Sequence, residues 1–451
     1  SRGLGDVYKR QEQRRKNLTQ LFIPICLETL LYMLSGMVDT LMLSSVNDQA
    51  VGAVGTANTY IGIFIIMFSV ISSGMVAVMT QNIGAGRPGV AYQARQLGLV
   101  FNAALGVIMS LFLSLGAGTI LSGVGVADAL MQPAKTYLQI VGGFCILNAL
   151  IPICSSYLRA FGFSKEPLYA SIIGNVINFC LNAFFLFVLH KGVAGVATAT
   201  VISRIINLVI VVLLGAVLVK AKQHPERESN RAVMGQIIRI GLPSACETAI
   251  YNVSMTLVIR FLNQMDAQGL NVTARSYTMQ ITNFSYCVGA ALAQANAIMT
   301  GWHIGAKEYD ACDRGTKKAA VIGVIVAVIL ETVFTLCSGW IMQLFSKDPQ
   351  MVSLVGKLLA IDIVLEIGRV TNLVYGQALK TSGDAVFPVV MGACFMILCS
   401  VGGTYLFGIR LGLLAVGAYI GMTGDECVRA VGMYLRWKSG KWKEKGLVKS
   451  R

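Results

Sequence analysis

The chain consists of long apolar runs, each of which can cross a lipid bilayer as one helix. A spanning helix needs about 20 apolar residues, and runs of this length recur along the whole sequence. Only 13% of the residues are charged, about half the usual share of a soluble protein. We therefore predict an all-α integral membrane protein with twelve transmembrane helices, at about residues 18–45, 53–80, 95–122, 134–158, 167–190, 193–219, 236–263, 271–300, 315–344, 352–378, 385–409 and 411–436.

Basic residues predict the orientation of these helices. The N-terminal tail is basic, and so are alternate loops on its side of the membrane, at residues 87–95, 159–165, 220–231 and 307–318. The opposite loops hold few basic residues, and the C-terminal tail is basic again. By the positive-inside rule both termini are cytoplasmic, which requires an even number of spans.

The formal net charge of +15 does not indicate nucleic-acid binding. The basic residues lie mostly in short loops and tails, where they meet anionic lipid headgroups. The eleven cysteines form no CxxC pair and the three histidines no HxxxH pair, so neither a metal enzyme nor a disulfide framework is indicated. We expect membrane lipids as partners, no cofactor, and no metal beyond a possible Na⁺.

The two halves of the chain repeat one another. PICLETLLY, beginning at Pro24, recurs as PSACETAIY at Pro243. IGA at 83–85 recurs at 304–306, and Gly162 with Pro167 recurs as Gly383 with Pro388. These three pairs of landmarks occur in the same order and are separated by nearly the same stretch of sequence, close to half of the chain. Because each half has an even number of spans, the copies have the same orientation, as in alternating-access transporters.

The repeat defines the predicted domains. We expect an N-lobe of helices 1–6 at residues 18–219, a cytoplasmic linker at 220–235, and a C-lobe of helices 7–12 at 236–436. Residues 1–17 form a cytoplasmic tail. Roughly the first eleven are expected to lie outside the native fold, because the sequence opens with Ser1 rather than Met and this stretch also lacks the apolar core of a signal peptide. Residues 437–451 form a basic cytoplasmic tail.

The first helix carries two carboxylates, which are energetically costly inside a membrane. Acids in membrane helices therefore face water or a partner rather than lipid. Glu28 and Asp39 are eleven residues apart, about three turns, and therefore share one face about 16 Å apart. Their default interpretation is an ion or substrate pathway.

Several motifs together resemble the MATE family of multidrug and toxic-compound extruders. They are GMVDT in helix 1, QNIGAGR after helix 2, LRAFGFSKEP after helix 4, IIGNVINFCLN and GVAGVATATVISR in helices 5 and 6, and GLPSACET, HIGAKE and ALKTSGDAVFP in the second half. The similarity spans about residues 15–440 and looks closest to DinF-like and related bacterial branches. It implies a MATE-like fold in a bacterial inner membrane, and a secondary antiporter that exports small organic cations in exchange for H⁺ or Na⁺. We expect a monomer.

The resemblance also implies an N-lobe cation site at Asp39, Asn178, Asn182 and Thr200. Three of these, Asp39, Asn182 and Thr200, lie roughly 9–12 Å inside the predicted outer helix ends, which agrees in depth. Asn182 departs from the archaeal pattern, which has a second Asp there, and this leaves H⁺ and Na⁺ both open. The alternatives are a structural carboxylate at Asp39 and helix–helix hydrogen bonds at the other three positions.

Other intramembrane charges are secondary candidates. Asp362, Glu366 and Arg369 form one stripe of helix 10, either an internal ion-pair network or a C-lobe cation or substrate site. Glu331 is a lone acid in helix 9. Asp425, Glu426 and Arg429 lie towards the inner end of helix 12 and predict a salt bridge at the membrane interface.

The repeat-equivalent Glu28 and Glu247 suggest a symmetric structural role. Each follows a proline by four residues, so we expect it to accept backbone N–H groups freed by helix kinks at Pro24 and Pro243.

Three other classes of protein are weighed against the antiporter. A flippase or exporter of a lipid-linked or other amphipathic metabolite typically has fourteen spans and a cationic cavity, whereas this sequence predicts twelve spans and acidic site candidates. An intramembrane enzyme would need a nucleophile–base or metal constellation, and the sequence indicates none. A receptor without transport would be expected to carry a soluble signalling domain. We therefore predict that the chain is not an enzyme.

Overall fold

The structure is a computed structural model that describes residues 16–45, 48–123, 126, 128–266, 269–343 and 345–448. Over these residues it is all-helical. The predictions about residues 1–15 and 449–451 lie outside the described residues. By their contacts the remaining residues divide into two compact units, one ending at Leu242 and the other beginning at Pro243. The division falls inside one long helix, and the predicted linker boundaries stay a prediction.

Twelve long helical segments follow one another along the described residues, and we number them α1 to α12. The first six are α1 (Leu18–Ser44), α2 (Asp48–Gly84), α3 (Pro88–Gly123), α4 (Asp128–Tyr137 and Leu138–Gly142, then Ile146–Ala160), α5 (Lys165–Ala183 with Phe184–Val188) and α6 (Gly192–Leu218). The others are α7 (Asn230–Met265), α8 (Leu270–Gly305), α9 (Tyr309–Leu336), α10 (Pro349–Ser382), α11 (Val386–Phe395, Met396–Val401 and Thr404–Arg410) and α12 (Leu414–Lys438).

Many helices extend beyond the predicted apolar runs. The helix α2 has 37 residues, about 55 Å at 1.5 Å per residue, whereas the hydrocarbon core is about 30 Å thick. The hydropathy pattern marks only the part of a helix that lies in hydrocarbon. Its polar ends continue as helix because the backbone hydrogen bonds persist there.

Eight of the twelve helices are long and apolar enough to span a membrane, if the two parts of α4, bent by 43°, count as one. The other four, α7, α8, α10 and α12, all belong mainly to the C-lobe and carry charged residues, with Arg275 near the start of α8 and several along each of the other three. The charges at the centres of α10 and α12 are largely buried, whereas Arg239 and Arg260 of α7 and Lys357 of α10 are exposed. These charges lower the apolar content of the helices that carry them. The twelve-helix prediction is confirmed together with its all-α class.

Backbone irregularities repeat between the two halves. Positive φ angles occur at Gly86 and Lys307 and at Gly162 and Gly383, two pairs with the same spacing as the IGA motifs. His190 and Gly192 have positive φ before α6, and Gly412 and Leu414 have it at the corresponding place, the start of α12. The π-helical turns at the ends of α5 and α11 also correspond. Repetition of such local details supports the parallel repeat.

The outer surface carries large apolar side chains, as expected for residues that contact lipid. Leu115, Leu336 and Trp340 are each at least 80% exposed. Inside the N-lobe, Asn102 of α3 ties three helices together by donating to the carbonyl oxygens of Phe68 and Ala149. Inside the C-lobe, α10 packs against α8, α9, α11 and α12, so its side chains form the centre of that lobe.

Candidate functional site

The N-lobe brings together three of the four residues predicted to bind a cation. The Asn182 amide nitrogen donates to Asp39 Oδ1 at 2.7 Å and to Asn178 Oδ1 at 3.1 Å. Both asparagines are on α5, one turn apart, and are buried, with 0% exposure at Asn182 and 5% at Asn178. The side-chain amide oxygen of Asn182, Oδ1, has no hydrogen-bond partner among the described residues. An unpaired buried oxygen beside a carboxylate is suited to a hard cation or a proton.

Thr200 is less directly involved than predicted. Its hydroxyl donates to the Val196 carbonyl oxygen at 2.9 Å, within its own helix. Its own carbonyl oxygen accepts from Ser203, whose hydroxyl is 3.5 Å from the Asn178 amide. Ser203 thus links α6 to Asn178 of α5, and the sequence analysis did not identify it. Its only signal in the sequence is its position almost one turn after Thr200.

A basic residue also acts on Asp39. Arg204 of α6 interacts electrostatically with it, although no ion pair within 4.0 Å joins the two. Arg204 follows Thr200 by four residues and shares its helix face. The sequence analysis did not single it out, although this spacing was visible. The positive charge of Arg204 would oppose the binding of a second cation at Asp39.

Glu28 is paired with a basic side chain rather than with backbone N–H groups as predicted. Arg159, at the end of α4, places its Nη2 atom 2.5 Å from Glu28 Oε2. The Ser171 hydroxyl of α5 lies 3.3 Å from the other carboxylate oxygen. Helix α1 continues through Pro24 without interruption. The prediction that Glu28 accepts backbone N–H groups near Pro24 is therefore wrong. Its partners are a guanidinium of α4 and a hydroxyl of α5.

Glu247 has the corresponding partner in the C-lobe. Lys380, at the end of α10, places Nζ 2.6 Å from Glu247 Oε2, and α7 runs through Pro243. Lys380 and Arg159 occupy equivalent positions of the two halves, so the ion pair is part of the repeat. This confirms the expected symmetry and corrects the expected partner. The kinks at Pro24 and Pro243 stay predictions.

The predicted stripe on α10 joins a larger buried network. Arg369 pairs with Glu366 on its own helix and approaches Glu426 of α12 at 3.7 Å. Arg429 of α12 binds both Asp425 and Glu426 at 2.8 Å. The α12 charges are buried rather than interfacial, which corrects the prediction. The reason is close packing: a Cβ on Gly368 of α10 would lie 2.8 Å from the backbone of Cys427, so this face of α12 points into the lobe.

Glu331 is not a lone acid. One carboxylate oxygen from each of Glu331, Asp362 and Glu366 lies within 4.8 Å of the others, and all three residues are buried. Both Glu331 oxygens and one each of Asp362 and Glu366 lack hydrogen-bond partners in the described part of the chain. Like charges this close repel strongly away from water, so the cluster needs compensation by Arg369, protons or a cation.

A cavity of about 430 Å³ lies within the C-lobe beside this network. Its lining is part charged, from Asp362, Arg369, Glu426 and Arg275, and part apolar or aromatic, including Met255, Met279 and Tyr286. This volume is in the range of small-molecule sites. Arg275, on α8, was not singled out in the sequence, because a single basic residue near a helix end has no local signature.

The fold and these buried polar sites together define a multi-pass membrane transporter. The MatE family pattern matches residues 24–184 and again residues 243–406. Each match covers the larger part of one predicted lobe. The chain therefore belongs to the MatE family.

Relatives and solved structures agree with this assignment. "Uncharacterized transporter YisQ" of Bacillus subtilis is 33% identical over 98% of this chain and 98% of its own. "Probable multidrug resistance protein NorM" of Thermotoga maritima is 23% identical over 96% of this chain and 94% of its own. The fold is similar to that of "Crystal structure of MATE in the straight conformation", with TM-score 0.85, 19% identity, and coverage of 96% of this chain and 99% of that one.

A second solved structure of similar fold is that of a complex with an ion. "MATE transporter ClbM in complex with Rb+" has TM-score 0.81 and 17% identity, covering 95% of this chain and 96% of that one. At this identity the likeness supports the fold alone. The predicted MATE resemblance is confirmed, as is its bacterial character, and the family places the chain among transporters rather than enzymes.

Proposed function

We propose that this transporter is a secondary antiporter that exports small organic cations, including drugs, in exchange for H⁺ or Na⁺ by alternating access. It would act as a monomer in a bacterial inner membrane, in contact with lipid and with both termini cytoplasmic. The relative NorM of Thermotoga maritima is described as a probable multidrug resistance protein, which supports the drug-export part of this proposal.

The observation that carries the proposal is the Asp39–Asn182 contact of 2.7 Å. It joins an acid of α1 to a buried amide of α5 whose own oxygen is unpaired among the described residues. Asp39, Asn182 and Asn178 would hold the coupling ion, with Thr200 and Ser203 supporting them from α6. Coupling requires that ion and substrate favour different states of the protein, or compete for one site.

The test is uptake of a fluorescent organic cation into everted vesicles under an imposed H⁺ or Na⁺ gradient. Asp39→Asn is compared with Asp128→Asn, a control that removes an exposed acid from the same lobe. We expect one gradient to drive uptake in the unchanged protein and in the control. Asp39→Asn should abolish gradient-driven uptake while the protein remains folded. The gradient that works identifies the ion.

Two results would contradict the proposal. Normal gradient-driven uptake in Asp39→Asn would show that Asp39 has a structural role. The C-lobe acids would then be the next candidates for the ion site. Failure of any organic cation to move under either gradient would favour export or flipping of an amphipathic, lipid-linked metabolite instead.

A further inference from the structure

The basic residues that line the C-lobe cavity differ in how they are neutralised. Arg369 and Arg429 each contact carboxylates, and Lys380 pairs with Glu247. Arg275 lines the same cavity and is 6% exposed. No carboxylate of the described residues lies within ion-pair distance of it.

The contact that Arg275 does make is weak. Its Nη2 atom is 3.6 Å from the Met255 thioether sulfur, a poor acceptor for a guanidinium with five N–H donors. A buried cation without a strong acceptor is costly. A guanidinium in this position is therefore available to bind an anionic group. Its planar arrangement of N–H donors matches the two oxygens of a carboxylate in particular.

A buried acid with an unpaired carboxylate oxygen also lines this cavity. Asp362 also lines it, is 2% exposed, and has an Oδ2 atom without a hydrogen-bond partner in the described chain. Among the residues that the structure describes, the cavity thus presents an arginine without a carboxylate partner and a carboxylate oxygen without a hydrogen-bond donor, along with the apolar surfaces of Met279 and Tyr286.

We propose that the C-lobe cavity binds a zwitterionic amphipathic substrate, with the substrate carboxylate on Arg275 and its cationic group facing Asp362. The inference rests on the proposed export function and adds a substrate class to it. Substrates that are cations only would still bind through Asp362 but would leave Arg275 without an acceptor.

The test uses two probes that differ in one group: rhodamine B, a zwitterion with a free carboxylate, and its ethyl ester, which is a cation. Binding to the purified full chain is measured by fluorescence anisotropy, and uptake is measured in proteoliposomes. The variants are Arg275→Gln, Arg275→Lys and Asp362→Asn. Arg260→Gln is the control, since it removes an exposed arginine from α7.

We expect Arg275→Gln to weaken binding of rhodamine B about tenfold, as for loss of one charge-assisted contact, and to leave binding of the ester unchanged. Arg275→Lys keeps the charge without the fork and should give a smaller loss, again only for rhodamine B. Asp362→Asn should weaken both probes alike, and Arg260→Gln neither. If Arg275→Gln does not fold, a loss of rhodamine B binding in Arg275→Lys, with unchanged binding of the ester, supports the proposal.

Equal effects of the Arg275 variants on both probes, or no effect, would overturn the proposal and indicate a structural arginine bridged to Asp362 by water. Failure of the proposed export function looks different. In that case neither probe would be taken up under any gradient, while Arg275-dependent binding of rhodamine B would persist.

Discussion

The Glu28 carboxylate and the Arg159 guanidinium form an ion pair 2.5 Å apart that ties α1 to the end of α4. Glu247 and Lys380 form the same pair between α7 and α10. Both pairs are largely buried, with side-chain exposures of 11% to 15%. A buried pair repeated in both lobes fixes the first helix of each lobe to the fourth.

Breaking the N-lobe pair on one side should destabilise the protein. Glu28→Gln removes the carboxylate that pairs with the buried Arg159 charge, which costs about 3 kcal/mol. Glu28→Gln with Arg159→Gln should cost less than the sum of the two single changes. The measurement is thermal unfolding in detergent, with Glu247 and Lys380 giving the matched cycle in the C-lobe. Additive effects in both cycles would show that the pairs are not coupled.

A second acid at the N-lobe site should change its ion preference. Asn182→Asp places another carboxylate oxygen beside Asp39, which strengthens binding of a hard cation such as Na⁺. We expect the half-saturating Na⁺ concentration for transport to fall about tenfold, a difference of about 1.4 kcal/mol. Asn182→Ala, which supplies no oxygen, should have the opposite effect. A half-saturating concentration that both variants leave unaltered would remove Asn182 from the ion site.

Glu331→Gln should not destabilise the C-lobe. It removes one of three clustered carboxylates while keeping the side-chain volume, so it relieves repulsion and opens no cavity. We expect an unchanged or higher melting temperature. Glu331→Ala leaves a cavity and should lose about 2 kcal/mol. Asp310→Asn, at an exposed acid near the start of the same helix, is the control. A large loss of stability in Glu331→Gln would show that its ionised form is needed.

Gly421 and Gly424 of α12 provide a matched pair for the packing against α11. A Cβ on Gly421 would lie 2.8 Å from the Cys399 carbonyl oxygen, whereas one on Gly424 meets nothing within 4 Å. Gly421→Ala should therefore destabilise the lobe by about 1–3 kcal/mol through overpacking, and Gly424→Ala should be neutral or slightly stabilising. Thermal unfolding distinguishes them, and equal melting temperatures would mean that α11 and α12 can separate without cost.

Asp266, in the loop between α7 and α8, should contribute stability that depends on pH. Burial alone would raise its pKa, but hydrogen bonds from Asn271, Leu270 and Gly269 outweigh burial and lower the pKa from 3.8. A carboxylate with a lowered pKa stabilises the fold above its unfolded-state value, and this contribution is lost as pH falls through the folded-state value.

Asp266→Ala should therefore lower the melting temperature near neutral pH, by the equivalent of about 1 kcal/mol for a lost helix cap. The difference from the unchanged protein should shrink as pH falls from neutral through the folded-state pKa, which lies below 3.8. A constant difference across this range would show that the loss comes from packing rather than from the charge.

Much of the architecture could be predicted from the sequence because it depends on local properties. Apolar length determined the spans, basic loops indicated their orientation, and matching motifs located the repeat that positive φ at Gly162 and Gly383 reproduces. Asp39 and Asn182 were identified through the resemblance and through their depth. The exact ends of the helices were not predictable, since hydropathy does not follow a helix into water.

The partners of the charges were decided only by the tertiary structure. The 3.6-residue period tells which residues share a face of one helix, but it does not tell which helix that face meets. Glu28 therefore forms an ion pair with Arg159 of another helix. Glu331 lies in a carboxylate cluster with Asp362, and Arg275 lines a cavity. The sequence by itself determined where the charges lie along each helix, and packing between helices determined which of them are neutralised and which stay available to a ligand.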